Sequence, residues 1–117
     1  MLPVELSRRI ALPRAELTLL AAADLLWFKG HFHGLPLLPG VAQLDWALHY
    51  GVELLAPGWR FSAVENIKFQ QPILPGYALR LALAWHAGKQ CLAFSYHILG
   101  DETERAASSG KIKLCRN

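Results

Sequence analysis

The stretch Gly30-His31-Phe32-His33-Gly34-Leu35-Pro36-Leu37-Leu38-Pro39-Gly40-Val41-Ala42-Gln43-Leu44-Asp45 decides how this chain is read. Pro36, Pro39 and Gly40 stop regular structure. The strongest helix pattern of the chain follows at once. Val41, Leu44, Leu48, Val52 and Leu55 recur at spacings of three and four, an apolar stripe of helical period. Ala42, Trp46 and Ala47 widen it, so a mostly buried helix is expected over about 40–55, and Pro57-Gly58 ends it.

Outward from that helix the rhythm changes. Val4–Leu12, stopped by Pro13, and Glu16–Ala22 read as two strands before the loop. Arg60–Gln70, Tyr77–His86, Gln90–Leu99 and Arg105–Leu114 read as four strands after the helix. Pro72, Pro75-Gly76, Ala87-Gly88 and Gly100-Asp101 stand between them as turns. Two strands, one helix and four strands predict an α+β fold. A curled antiparallel sheet of about six strands wrapped around one long central helix would bury the apolar pattern. No repeat or linker interrupts residues 1–117, so a single domain is expected.

Composition narrows the function classes. Of the 117 residues, 53% are hydrophobic, and the mean hydropathy is +0.22. That is more apolar surface than a small monomer hides, which predicts a subunit interface. The net charge is +3, with basic residues scattered rather than striped. This argues against nucleic-acid binding and suits an acidic protein partner. Cys91 and Cys115 form no paired motif and read as two buried thiols of a reducing compartment. Met1-Leu2-Pro3-Val4-Glu5 lacks the basic start of a signal peptide. The most apolar run, Leu17 to Phe28, is broken by Asp24 and too short to span a bilayer. A cytoplasmic protein with no membrane span is expected.

The chemistry sits at the Pro-Gly helix start. Gly40 marks a point where backbone N–H groups lack intrahelical partners, and the absent side chain lets a ligand approach. Such a start favours an oxygen that gains negative charge. Asp45 follows in the first turn or so, where the helix dipole favours a carboxylate. His31 precedes it in a Gly-flanked turn, with an ordinary pKa near neutrality. A base, a carboxyl group and an oxyanion site are the requirements of a β-elimination next to a thioester.

Those residues carry a family resemblance. The pattern Gly-His-Phe-x-Gly-x-Pro-x-x-Pro-Gly, with an acid fourteen positions after the histidine, resembles the hotdog-fold 3-hydroxyacyl-acyl-carrier-protein dehydratases. Val64-Glu65-Asn66-Ile67-Lys68-Phe69-Gln70-Gln71-Pro72-Ile73-Leu74-Pro75-Gly76 looks like that family's next strand and turn. Trp27-Phe28-Lys29-Gly30-His31-Phe32, Leu37 to Trp46, Ala56-Pro57-Gly58-Trp59-Arg60-Phe61 and Ser108-Ser109-Gly110-Lys111-Ile112 resemble the aryl polyene subgroup. The resemblance implies dehydration of 3-hydroxyacyl thioesters on acyl carrier protein to trans-2-enoyl thioesters. It implies His31 and Asp45 as the catalytic pair and the Gly40 N–H as donor to the thioester carbonyl. The Leu37 carbonyl matches a backbone group near the histidine, and Val41 belongs to the same substrate-binding stretch. No cofactor is implied beyond the phosphopantetheine arm of the carrier. The family's site forms between two subunits, histidine from one and acid from the other, in a dimer with a continuous sheet. A homodimer is expected, with a heterodimer with a paralogous dehydratase as the alternative.

Two departures stand out. The plain dehydratases usually carry Glu where this chain has Asp45, whereas the dehydratase that also isomerises carries Asp. His33 stands where the family often has Pro, and reads either as a substrate contact or as a solvent-facing residue. Other readings stay open beside these. His31, His33 and Asp45 have metal-ligand chemistry, though no metal is expected. An acyl thioesterase on the same fold is the rival enzyme. His49, His86 and His97 read as structural or exposed. Trp46 and Trp85 read as core, and Trp27 and Trp59 as candidates for an acyl tunnel. Lys29, Arg60, Lys68, Arg80, Lys111 and Lys113 are candidates for carrier docking, with a solvated surface the blander reading of each.

Overall fold

The structure is a computed structural model that describes residues 1–25, 28 and 37–116. Six strands form one antiparallel sheet: β1 (Val4–Ala11), β2 (Arg14–Leu20), β3 (Trp59–Phe69), β4 (Ala78–His86), β5 (Cys91–Leu99) and β6 (Glu104–Arg116). Their spatial order is β1-β2-β4-β5-β6-β3. All six predicted strands form, each within two residues of its expected ends.

The sheet core follows from alternation, because successive strand side chains point to opposite faces. Leu17 and Leu19 on β2, Leu79, Leu81 and Leu83 on β4, and Leu92, Phe94, Tyr96 and Ile98 on β5 are all buried on one face. Ile112 and Leu114 of β6 join them. The same registers place Leu17 opposite Leu81, and Leu81 opposite Tyr96.

Against that face lies α1 (Gly40–Leu54), 15 residues long. It is the one long helix the pattern predicted among the described residues, one residue short of the expected end; Leu55 caps it. The buried face differs from the expected stripe. Ala42, Gln43, Trp46, Ala47, Tyr50 and Gly51 turn toward the sheet. Leu44, Leu48 and Val52 are only half-buried, and Val41 is 62% exposed. The physical reason is closeness. A Cβ on Gly51 would come 2.2 Å from Leu92 Cδ2, so no side chain fits at that point of contact, and Trp46 and Tyr50 fill the space beside it. The branched residues are left on the opposite face.

β3 is an edge strand whose side chains are mostly exposed, with Phe61, Val64 and Phe69 among the exposed large apolar residues of the chain. It pairs with β6 through two irregularities, and Asn66 at the second has φ 52. Short polar side chains tolerate that left-handed backbone. Six antiparallel strands carrying one helix are consistent with a hotdog fold.

Candidate active site

The loop that carries His31 and His33 lies outside the described residues, as do Trp27 and Lys29. The described part of the candidate site begins at Leu37. Leu38 N–H donates to Ile73 O at 2.9 Å, tying the segment before the helix to the turn that follows β3. Pro39 is the N-cap, in extended conformation, with no side-chain cap. The first intrahelical bonds run from Ala42 and Gln43 N–H to Pro39 O. The N–H groups of Gly40 and Val41 precede them, as helix geometry requires.

Gly40 leaves room for the ring of Phe69. A Cβ there would stand 2.5 Å from Phe69 Cζ, because the Phe69 ring packs over the helix start. Sequence reasoning assigned this glycine to ligand approach and missed the ring. Leu37, Gly40, Gln43, Phe69 and Gln70 line a cavity of about 340 Å³ at that helix start.

Asp45 sits elsewhere. It is the sixth residue of α1, past the first turn, which holds no acidic residue. The dipole argument for it therefore weakens, since that field falls off beyond the first turn. Asp45 is exposed on the open face of the helix, between two cavities. One, of about 350 Å³, is walled by Val41, Leu44, Leu48, Phe61, Val64 and Ile112. The other, of about 480 Å³, adds His49, Val52, Glu53, Trp59 and Arg60. Trp59 thus lines a cavity, edge-on to Trp85 with ring centroids 5.0 Å apart. His49 Nε2 stands 3.3 Å from Glu53 Oε2, one turn beyond Asp45. A carboxyl group in a groove of aliphatic and aromatic side chains lies within reach of polar groups on an acyl chain bound there.

Of the predicted residues, Leu37 and Gly40 share one cavity while Val41 and Asp45 share another. Within one chain these remain two cavities.

Beneath the helix start lies a buried polar group that the sequence reading left out. Ser108 Oγ donates to Gln43 Oε1 at 2.6 Å, and Gln43 Nε2 donates to Leu38 O at 3.3 Å. The Tyr96 hydroxyl donates to the Gln43 carbonyl at 2.6 Å. Burial holds the Tyr96 phenol well above its ordinary pKa. The available signal was Gln43, a polar residue within the helix on the side of Ala42 and Trp46.

Several further expectations meet the structure. Cys91 is buried, but Cys115 is exposed near the end of β6, against the expectation of two buried thiols; both are free. Trp46 is fully buried, and its indole N–H donates to Met1 O at 2.9 Å. Two docking candidates are engaged within the chain: Arg80 pairs with Glu104, and Lys113 Nζ donates to Lys89 O at 2.9 Å. No helix among the described residues is long and apolar enough to cross a membrane.

Comparison with known proteins gives the frame for these positions. The ApeI-like family, described as ApeI dehydratase, matches residues 8–111, and the chain belongs to it. A crystal structure of an uncharacterised protein from Erwinia carotovora subsp. atroseptica is 62% identical, with a TM-score of 0.93, over 99% of this chain and 98% of that one. The dehydratase heterocomplex ApeI:P from Xenorhabdus doucetiae is 49% identical, with a TM-score of 0.91, over 99% of this chain and 100% of that one. The 3-hydroxyacyl-[acyl-carrier-protein] dehydratase FabZ of Geobacter metallireducens is 37% identical over 67 residues, 50% of this chain and 45% of that protein. The chain thus spans under half the length of such FabZ relatives.

Proposed function

We propose that this protein removes water from 3-hydroxyacyl thioesters carried on acyl carrier protein, giving trans-2-enoyl thioesters, in aryl polyene or related fatty-acid-like synthesis. The observation that carries the reading is the place of Asp45, a carboxyl group on the open face of α1 within an apolar groove. Family membership supports it.

In this reading His31 takes the proton alpha to the thioester carbonyl. The Gly40 N–H holds the carbonyl oxygen as charge builds on it. Asp45 gives its proton to the departing hydroxyl, which leaves as water. The proton on His31 then restores Asp45, so the cycle closes without an external reagent. His33 and Leu37 border the reacting end, and Val41 borders the acyl chain. The phosphopantetheine arm belongs to the carrier, and no step uses a metal or other cofactor. The two cavities of one chain become one site when a second subunit brings its His31 and Gly40 to this Asp45. Free thiols at Cys91 and Cys115 accord with a cytoplasmic setting.

The test is mass spectrometry of a 3-hydroxyacyl carrier protein incubated with the purified chain, with His31→Ala and Asp45→Asn alongside. Loss of 18 mass units, one water, is expected from the native chain, and each variant is expected to be slower by roughly 10²–10⁴-fold. Release of free acid would identify a thioesterase instead.

A second reading has one observation in its favour: the Xenorhabdus relative is described as part of a dehydratase heterocomplex. On that reading the chain works with a paralogous partner. A folded but inactive preparation that gains activity when the paralogue is added would establish it.

A further inference from the structure

We propose that Gln43 and Ser108 form a buried clamp that positions the Gly40 end of the candidate site, a role resting on the dehydratase reading above. Gln43 and Ser108 are the buried polar residues of the core among the described residues, 4% and 1% exposed. A buried amide or hydroxyl is costly unless it is hydrogen-bonded, and apolar groups of the same shape can replace such a pair at little cost in stability. Fold support alone therefore gives no reason for this pair.

Its geometry gives one. Gln43 uses both ends of its carboxamide. Oε1 accepts from Ser108 Oγ on β6, and Nε2 donates to Leu38 O in the segment leading to the helix. Leu38 is held from the other side by its own N–H to Ile73 O. The Gln43 main-chain carbonyl is gripped by the Tyr96 hydroxyl on β5. Leu38 and Gln43 are thereby tied to β5, β6 and the turn after β3, with Pro39 and Gly40 between them in the chain. Gln43 also lines the cavity that Leu37 and Gly40 border. The direction of the Gly40 N–H depends on the backbone of Leu38 and Pro39. A misplacement of about 1 Å at a reacting group costs up to roughly 100-fold in rate. Gln43 is then a positioning residue, and Ser108 acts only through it.

The experiment uses Gln43→Met, Ser108→Ala and the double variant in the full chain. Three quantities are followed: steady-state dehydration, thermal midpoint, and hydrogen exchange of the Leu38 amide. Each single variant is expected to lower kcat, Gln43→Met by roughly 10- to 100-fold, with KM within about twofold. Ser108→Ala is expected to speed Leu38 amide exchange about fivefold, with the central amides of β4 and β5 unmoved. The double variant removes the stranded Ser108 hydroxyl and leaves the Leu38 carbonyl without its donor, so it is expected to regain part of the lost thermal midpoint relative to Gln43→Met, yet to stay as slow. A double variant with wild-type kcat and unchanged Leu38 exchange would overturn the clamp and leave the pair a fold feature. If the native chain shows no dehydration, the dehydratase reading fails by itself, and faster Leu38 exchange in Ser108→Ala still decides whether the clamp exists.

Discussion

Gly40 and Gly51 show how two glycines of one helix carry different demands. At Gly40 the obstacle to a Cβ is the tip of the Phe69 ring, and Phe69 is itself exposed. The ring can swing, so Gly40→Ala is expected to cost about 1 kcal/mol, at the low end for overpacking. The displaced ring then intrudes on the cavity at the helix start, so turnover should fall more than stability does. Paired measurements of kcat and thermal midpoint check this. At Gly51 the obstacle is Leu92 Cδ2 at 2.2 Å, and Leu92 is fully buried. Alanine gains about 1 kcal/mol in helix propensity, yet overpacking costs about 1–3 kcal/mol. Gly51→Ala is therefore expected to lower the thermal midpoint by a few degrees in a melting scan. A rise would mean that helix and sheet are less tightly packed than the structure indicates.

Tyr96 on β5 couples two elements through its hydroxyl on the Gln43 carbonyl of α1. Tyr96→Phe removes one buried hydrogen bond and is expected to cost about 1 kcal/mol near neutral pH. The pH dependence has a definite sign. Burial raises the folded-state pKa of the phenol, so the folded chain holds that proton more tightly than the unfolded chain. The resulting stability is complete below the ordinary phenol value of about 10 and is lost as pH climbs through the folded value. The thermal midpoint of the native chain is thus expected to fall more steeply above about pH 10 than that of Tyr96→Phe. Parallel curves would remove Tyr96 from the alkaline transition. Strand positions were legible because turns and alternation bound them on both sides. The buried clamp was not, because Ser108 and Gln43 are 65 positions apart.

The open face of α1 and the exposed side of β3 form one apolar surface on the whole molecule. Val41 is 62% exposed, Phe61 51% and Val64 43%, and all three line the same cavity. A monomer rarely leaves such a patch uncovered. Phe61→Asp or Val41→Asp is expected to halve the mass seen by light scattering while leaving the thermal midpoint of the single chain little changed. On the two-subunit reading proposed above, activity should vanish with that contact, because the Gly40 and Asp45 cavities lie apart in one chain. A Val41→Asp protein that stays dimeric and active would place the subunit contact elsewhere.

Pro-Gly breaks, strand alternation and the apolar spacing from Val41 to Leu55 were enough to set the order and bounds of the elements. The spacing of His31 and Asp45 around Gly40 suggested an acid-base site, and the family resemblance named its chemistry. Neither revealed which face of α1 meets the sheet. Both faces are apolar, so periodicity could not choose between them; the close approach of Gly51 to Leu92, with Trp46 and Tyr50 packed beside it, sets the inward face. The branched residues and Asp45 are thereby turned outward, toward the surface that a second subunit would cover. The place of β3 beside β6 was equally hidden, because it follows from a crossover in space rather than from any local pattern in the chain.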